Sequence, residues 1–297
     1  MPTEAVSARY ADLDLWPTGD AVAAMLEGQL AAAAAVRAQA GALTAAAEAA
    51  AARLADTAGR LVYAGAGTSG RVAVQDGVEL GPTYDWPEAR LVYALAGGMG
   101  ALLSSAEGAE DDAAEGAEAM RRAGVGPADV VIGVAASGVT PYTVAAVREA
   151  AAAGALTVGM ASNPDTPLLQ AAAHPILLDT GGEIVAGSTR MKAGTAQKIA
   201  LNVLSTAVMI RLGRVYGSLM VDMRLSNRKL RERAVGLVGA ISGVDRAAAE
   251  AALERAGGNI KRAALVSMGA EPQAAEAALR DSGDNLRKAI ARIAAQD

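Results

Sequence analysis

The sequence predicts an α/β fold, a doubly wound parallel-sheet sandwich with a small all-helical C-terminal segment. Three observations carry the architecture. Short apolar runs alternate with helical stretches from residue 60 onward, which is the pattern of strand–helix–strand units and a parallel sheet with right-handed crossovers. Three of those runs end in small and hydroxyl-bearing residues, at the strand ends where such sheets bind ligands. After residue 227 the strand signals stop and a helical repeat begins.

Taken in order, residues 20–60 are rich in alanine and leucine and predict one or two helices, because alanine is the best helix former. Strands follow at 60–64, 89–95, 129–134 and 156–161, with a fifth at 175–178. Beyond residue 227, Ala249-Glu250-Ala251-Ala252-Leu253 recurs as Ala275-Glu276-Ala277-Ala278-Leu279. Gly257-Gly258-Asn259-Ile260 recurs as Gly283-Asp284-Asn285-Leu286 at the same offset of 26. Each unit reads as a helix, a glycine–asparagine C-cap and turn, then a basic helix, a duplicated hairpin that packs on the main domain or serves as a lid. The expected division is 1–54 as an N-terminal helical segment, 55–226 as the α/β domain and 227–297 as the helical repeat.

Composition sets limits. Of 297 residues 52% are hydrophobic but only 3% aromatic, and there is no phenylalanine, so the core is built from Ala, Val, Leu, Ile and Met. A net charge of −5 without a basic tract argues against nucleic acid, so an anionic ligand needs a local basic or N–H-lined pocket. The first residues carry Glu4, Asp12 and Asp14 and no apolar signal region. The apolar run 199–212 is too short to span a bilayer. A cytoplasmic chain with no membrane partner is expected, with no disulfide since there is no cysteine.

The densest chemistry lies in Gly65-Ala66-Gly67-Thr68-Ser69-Gly70-Arg71, an apolar strand breaking into a glycine-rich, hydroxyl-bearing loop. Gly67 permits a tight turn, Thr68 and Ser69 add hydroxyls, and the N-terminus of a following helix completes an anion cradle. As a string the loop also fits a dinucleotide motif, with Asp85 and Glu88 at the distance of a ribose partner. Ser137-Gly138-Val139-Thr140 repeats the logic at a second strand end, where N-cap hydroxyls are the plainer reading. Gly187-Ser188-Thr189-Arg190-Met191-Lys192 adds hydroxyls and the cations Arg190 and Lys192. Two acidic positions stand out. Glu79, on the helix after the first loop, shares a face with Asp76, and partial burial there would suit a general acid. Glu107, Glu110 and Asp111 share one helical face, where a solvated surface is the usual role. His174 is the only histidine, and no His–carboxylate cluster suggests a metal.

Together with Glu107-Gly108-Ala109-Glu110-Asp111 and Ala193-Gly194-Thr195, these strings resemble the N-acetylmuramic acid 6-phosphate etherase family in order and spacing across about residues 55 to 230. The Ser188 string is shared with the related glucokinase regulatory protein. The resemblance implies a sugar isomerase domain that binds phosphosugars and forms a homodimer. It also implies a lyase that removes D-lactate from N-acetylmuramate 6-phosphate without redox cofactor or metal. It places the acid at Glu79 and the base at Glu110, with Gly67, Thr68, Ser69, Ser137, Gly138, Thr140, Ser188, Thr189, Arg190 and Lys192 holding substrate. Around the acid, Gly77-Val78-Glu79-Leu80-Gly81-Pro82-Thr83 keeps the glutamate, a proline and the threonine of the family pattern and lacks its cysteine. An aldose–ketose isomerase would need one base only, and a phosphosugar-responsive regulator would tolerate loss of either glutamate.

Overall fold

Five apolar runs become five strands: β1 (Leu61–Gly65), β2 (Leu91–Leu95), β3 (Val130–Val134), β4 (Leu156–Ala161) and β5 (His174–Leu177). The computed structural model describes every residue except Asp56, Ser105, Gln296 and Asp297. All five strands are parallel, in the order β2-β1-β3-β4-β5, with Gly65 level with Leu95 on one side and Val134 on the other. β1, β3 and β4 are buried along their whole length, as strands covered on both faces must be. The second strand starts later than expected, because Glu88–Arg90 forms a 3-10 turn. There Arg90 turns its guanidinium onto the carbonyls of Gly59 and Leu54 at 2.7 and 3.1 Å. His174 opens the edge strand and pairs in register with Val158.

The chain divides into two compact units, Met1–Val78 with Ala89–Val208, and Glu79–Glu88 with Met209–Asp297. Residues 1–54 therefore cluster with the strands, and the break near the end of the sheet region comes at 208. Helices α1 (Thr18–Ala38) and α2 (Ala40–Leu54) precede the sheet, and α3 (Gly67–Tyr84), of the first unit as far as Val78, leaves β1. α4 (Ala113–Arg122), α5 (Pro141–Ala152), α6 (Pro167–Ala171) and α7 (Lys192–Arg211) follow. One sheet face packs Val62, Ala64 and Val131 against Met120 of α4 and Tyr142, Ala146 and Ala150 of α5. On the other, the Tyr63 hydroxyl donates to Asp76 of α3 at 2.9 Å. The same carboxylate accepts from Asn202 (2.6 Å) and Ser205 (3.0 Å) of α7. At the N-terminal edge, Asp129 latches β3 to β1 by accepting from the Arg60 amide, Nε and Nη2 at 2.8, 3.1 and 2.7 Å.

α1 is long and apolar enough to cross a membrane by length and composition alone. In this structure only Ala32 and Val36 of it are buried, and Leu26 and Leu30 are 62% and 74% exposed.

The second unit holds a short hairpin, β6 (Val215–Tyr216) with β7 (Leu219–Met220), that the sequence did not suggest. It also holds helices α8 (Arg228–Ser242), α9 (Arg246–Arg255), α10 (Ile260–Ser267), α11 (Pro272–Asp281) and α12 (Leu286–Ala294). The 26-residue repeat is two helical hairpins, with one change of role. Asn259 and Asn285 are not C-caps; each accepts from the amide three residues on (Arg262 and Lys288, at 2.8 and 3.1 Å) and so starts the next helix. The preceding glycines at positive φ make the turn. Lys261, in the first turn of α10, is fully buried and ion-paired with Asp222 (2.6 Å) and Asp284 (2.9 Å).

Candidate active site

The order of strands reverses between β1 and β3, so the loops leaving these two strands flank the crevice where open α/β sheets take ligands. The first loop is built for close approach. A side chain at Gly70 would stand 2.3 Å from a Leu95 methyl and 2.9 Å from the Gly65 carbonyl. The absence of side chains at both positions lets α3 begin directly on the strand end. Gly67 serves differently: its surroundings are open, but its φ is +52°. α3 starts there, so Thr68 and Ser69 sit in its first turn, where backbone N–H groups have no partner within the helix. Ser69 is buried.

Arg71, the positive charge that ends the loop string, is spent on the backbone. Its Nε donates to the Ala101 carbonyl at 2.9 Å and its Nη2 to that of Ser104 at 3.4 Å, tethering the segment that follows β2. That segment folds back because Gly97 has no side chain; one would meet the Ala106 methyl at 2.3 Å. The result is a cavity of about 250 Å³ lined by Ala66, Gly67, Arg71, Ala96, Glu107 and Glu110, among others.

The acidic cluster is not a helical face. Gly108, at φ +71°, breaks the chain, Ala109–Asp111 is a single 3-10 turn, and α4 starts only at Ala113. The carboxylates then take separate fates. Asp112 caps α4 through the Glu115 amide at 2.9 Å. Glu115 pairs with Arg122. Glu107 and Glu110 face the cavity, and among the described residues nothing bonds to the Glu110 carboxylate.

Glu79 and Asp76 do not share an environment. Asp76 is 4% exposed and committed to Tyr63, Asn202 and Ser205. Glu79 opens the second unit and is exposed, so the partial burial expected for an acid is not met. The buried stripe of α3 runs through Ala73, Val74, Asp76 and Leu80, and position 79 falls outside it. Asp85 and Glu88 belong to the second unit too and pair with Arg224 at 2.5 and 3.5 Å, which removes them as ribose ligands.

The second loop bonds its hydroxyls to one another and to its own backbone. Thr140 precedes α5 without capping it. Its hydroxyl lies 3.2 Å from that of Ser137, which also accepts from the Val139 amide at 3.2 Å. Gly138 (φ +74°) is pressed against Thr166; a side chain there would stand 2.3 Å from the threonine hydroxyl.

The third segment meets the first: a side chain at Gly194 would lie 3.4 Å from the Thr68 methyl. Ser188, Thr189 and Lys192 are half-buried and Arg190 is exposed. Lys192 donates to the Thr180 carbonyl at 2.9 Å. A residue the sequence reading passed over controls this segment. Glu183, 1% exposed, accepts from the Lys192 and Ala193 amides at 3.0 and 2.9 Å, capping α7 with a full negative charge. The only sequence signal is a carboxylate isolated between Gly181-Gly182 and Ile184-Val185, nine residues ahead of the helix it caps.

This geometry can now be set beside known proteins. The model of the glucokinase regulatory protein N-terminal SIS domain matches residues 43–151. An N-acetylmuramic acid 6-phosphate etherase of Deinococcus radiodurans is 55% identical over 261 residues, covering 88% of this chain and 85% of the relative. One of Streptomyces avermitilis is 46% identical over 270 residues, covering 91% and 86%. Among solved structures, a putative phosphosugar isomerase involved in capsule formation from Bacteroides fragilis superposes with a TM-score of 0.51 at 18% identity. It covers 68% of this chain and 95% of its own, a likeness of fold. A relative aligned over nearly its whole length at more than half identity fixes the membership: the chain belongs to the N-acetylmuramic acid 6-phosphate etherase family.

Proposed function

We propose that this protein cleaves the D-lactyl ether of N-acetylmuramate 6-phosphate, giving N-acetylglucosamine 6-phosphate and D-lactate, with Glu110 as base and Glu79 as acid. The observation that carries this reading is that the unpartnered Glu110 carboxylate and the first turn of α3 line one cavity at the end of β1. Phosphate and proton abstraction are thereby served from neighbouring walls.

The chemistry needs two carboxylates. Ring opening exposes the C1 aldehyde, which acidifies the C2 proton. Glu110 takes that proton, the C3–O bond breaks, and the departing lactate oxygen receives a proton from Glu79. Water then adds at C3 of the unsaturated aldehyde, with Glu79 now accepting its proton and C2 regaining one. Gly67, Thr68 and Ser69 of the first loop, Ser137, Gly138 and Thr140 of the second, and Ser188, Thr189, Arg190 and Lys192 of the third hold the phosphosugar. Their amides and hydroxyls, with the two cations, supply the local potential that a chain of net charge −5 lacks overall.

A homodimer and a cytoplasmic address go with this reading. Support for the dimer lies in α1, whose Val22, Leu26 and Leu30 form an exposed stripe at helical spacing. A groove of about 350 Å³ lies beside it, lined by Val36, Leu43, Ile199 and Val203 among others.

The test is lactate release by the purified protein, with C2 exchange followed in deuterated water. Glu110→Gln is expected to lower both by about 10²–10⁴-fold, while Glu79→Gln stops lactate loss and leaves exchange measurable. Parallel loss of both in Glu79→Gln refutes the division of roles. Tight phosphosugar binding without lactate release would make the protein a regulator, and ketose formation an isomerase.

A further inference from the structure

Residues 2–5 lie against the sheet's ligand-binding edge, and Thr3 is 0% exposed there. Its amide donates to Asn163 Oδ1 at 3.3 Å, and its hydroxyl receives a bond from Asn163 Nδ2 at 3.1 Å. Its carbonyl accepts from the Gly187 amide at 3.2 Å. Asn163, at the end of β4, is 1% exposed and donates through Nδ2 to the carbonyls of Ala136 and Ser137 at 3.1 and 3.3 Å. One residue thus joins the Ser137 loop, through Asn163, to the turn that carries Ser188. The same segment also fits tightly along 182–187. A side chain at Gly182 would meet the carbonyls of Ala5 and Pro2 at 3.2 and 3.4 Å, and one at Gly187 the Glu4 carboxylate at 2.9 Å.

Thr3 is chemically suited to this. Its buried backbone and hydroxyl groups must be satisfied somewhere, and Asn163 is an amide with two donors and an acceptor to spend. Neither residue offers an acid, a base or a charge to the reaction. What they share is the separation of two hydroxyl loops, and the affinity of a multidentate phosphate site depends on that separation being fixed before the ligand arrives.

We propose that Thr3 is a positioning residue of the phosphosugar site, holding the Ser137 and Ser188 loops in register through Asn163. The proposal rests on the reading of Ser137 and Ser188 as substrate ligands. Such a residue affects binding in ground and transition state alike, so its loss raises KM and leaves kcat nearly unchanged.

The experiment measures kcat and KM for lactate release, affinity for N-acetylglucosamine 6-phosphate by calorimetry, and thermal melting. Thr3→Val keeps the side-chain shape and removes the hydroxyl. It is expected to raise KM and the product Kd about tenfold, the scale of one buried unsatisfied partner, with kcat within about twofold. Thr3→Ser restores both. Should Thr3→Val fail to fold, Gly182→Ala, which presses on the same segment from outside, decides by the same KM-against-kcat split. A folded variant with lowered melting temperature but unchanged KM and Kd overturns the proposal, as does a fall in kcat at constant KM. Ser137→Ala and Ser188→Ala separate the two levels. If they weaken product binding and Thr3→Val does not, the positioning role alone fails; if they leave binding unchanged, the ligand assignment beneath it fails.

Discussion

Replacing Lys261 by methionine tests how the helical repeat is held together, because its effect depends on pH in a direction the structure fixes. The Lys261 side chain is fully buried, its ammonium 2.6 Å from Asp222, 2.9 Å from the Asp284 carboxylate and 2.7 Å from the Asp284 carbonyl. Asp222 is itself nearly buried, with Arg214 as its other cation at 3.7 Å. Desolvation pushes the Asp222 carboxyl up to about 6, against the pull of Lys261 and Arg214. Methionine keeps the volume but leaves Asp222 with Arg214 alone, and breaking a buried pair costs about 3–5 kcal/mol. That corresponds to a loss of about 10 °C in Tm for a chain of this size. A carboxyl raised in the folded state favours folding when protonated, fully below its ordinary value, and loses that contribution as pH rises through about 6. Without Lys261 the carboxyl rises further, so the gap between variant and native protein is widest at pH 8 and narrows toward pH 5. Calorimetric melts of both proteins at several pH values between these limits give the difference directly. The double variant Lys261→Met/Asp222→Asn should recover most of the loss and flatten its pH dependence. A gap of equal size at pH 5 and pH 8 would refute the reasoning and assign the cost to packing.

Three further outcomes are expected. Asp129→Asn costs about 2–3 kcal/mol. Burial works to raise the Asp129 carboxyl, but the Arg60 guanidinium and the Gly126 and Arg60 amides outweigh it and hold the carboxyl below its ordinary value. The native protein therefore keeps this stability above the ordinary carboxylate range and loses it as pH falls through the lowered value, whereas acid titration of the variant lacks that step. Gly70→Ala costs about 1–3 kcal/mol, because the new methyl meets Leu95 and the Gly65 carbonyl. It should also weaken N-acetylglucosamine 6-phosphate binding beyond its effect on melting, since the first turn of α3 must shift to make room. Glu183→Gln costs about 1–2 kcal/mol of Tm-derived stability by removing a charged acceptor from the α7 amides; an unchanged Tm would show the cap to be dispensable.

What the sequence could announce was whatever depends on neighbours in the chain. The five strands are short apolar runs between turns, and their parallel pairing follows from the alternation with helices, so β1 to β5 were legible to within a residue or two. The two glycine-hydroxyl loops were legible for the same reason. What escaped depends on partners far along the chain. Asp76 and Glu79 are three residues apart, but burial separates them because Tyr63, Asn202 and Ser205 converge on one and not the other. The acidic run around Glu110 has helical spacing, and a single glycine at positive φ prevents the helix. Arg71 carries the charge of an anion ligand and spends its guanidinium on two carbonyls. The apparent C-cap asparagines cap the next helix, a distinction of one turn that composition does not resolve.

Glu183 changes how the site's positive potential must be understood. Three helices, α3, α5 and α7, begin at the ligand edge of the sheet, and each N-terminus carries a partial positive charge. They are not equally available. α7 is already neutralised by a buried carboxylate on its first amides, and α5 opens on Pro141, which removes one of its free N–H groups and leaves the next amides in place. α3 keeps its whole first turn, which no protein carboxylate caps among the described residues, and Gly67 keeps the approach open. Under the proposed function, the phosphate of the sugar would gain most at Gly67–Ser69, with the Ser137–Thr140 hydroxyl pair as its second support. Lys192 is directed to the Thr180 carbonyl and Arg190 is exposed, so under the proposed function their charges would act from the rim. On this reading the glycine-rich loop anchors the substrate. The third segment, held by its own glutamate, meets the first loop at Gly194 and Thr68 and would bound the phosphate end of the site.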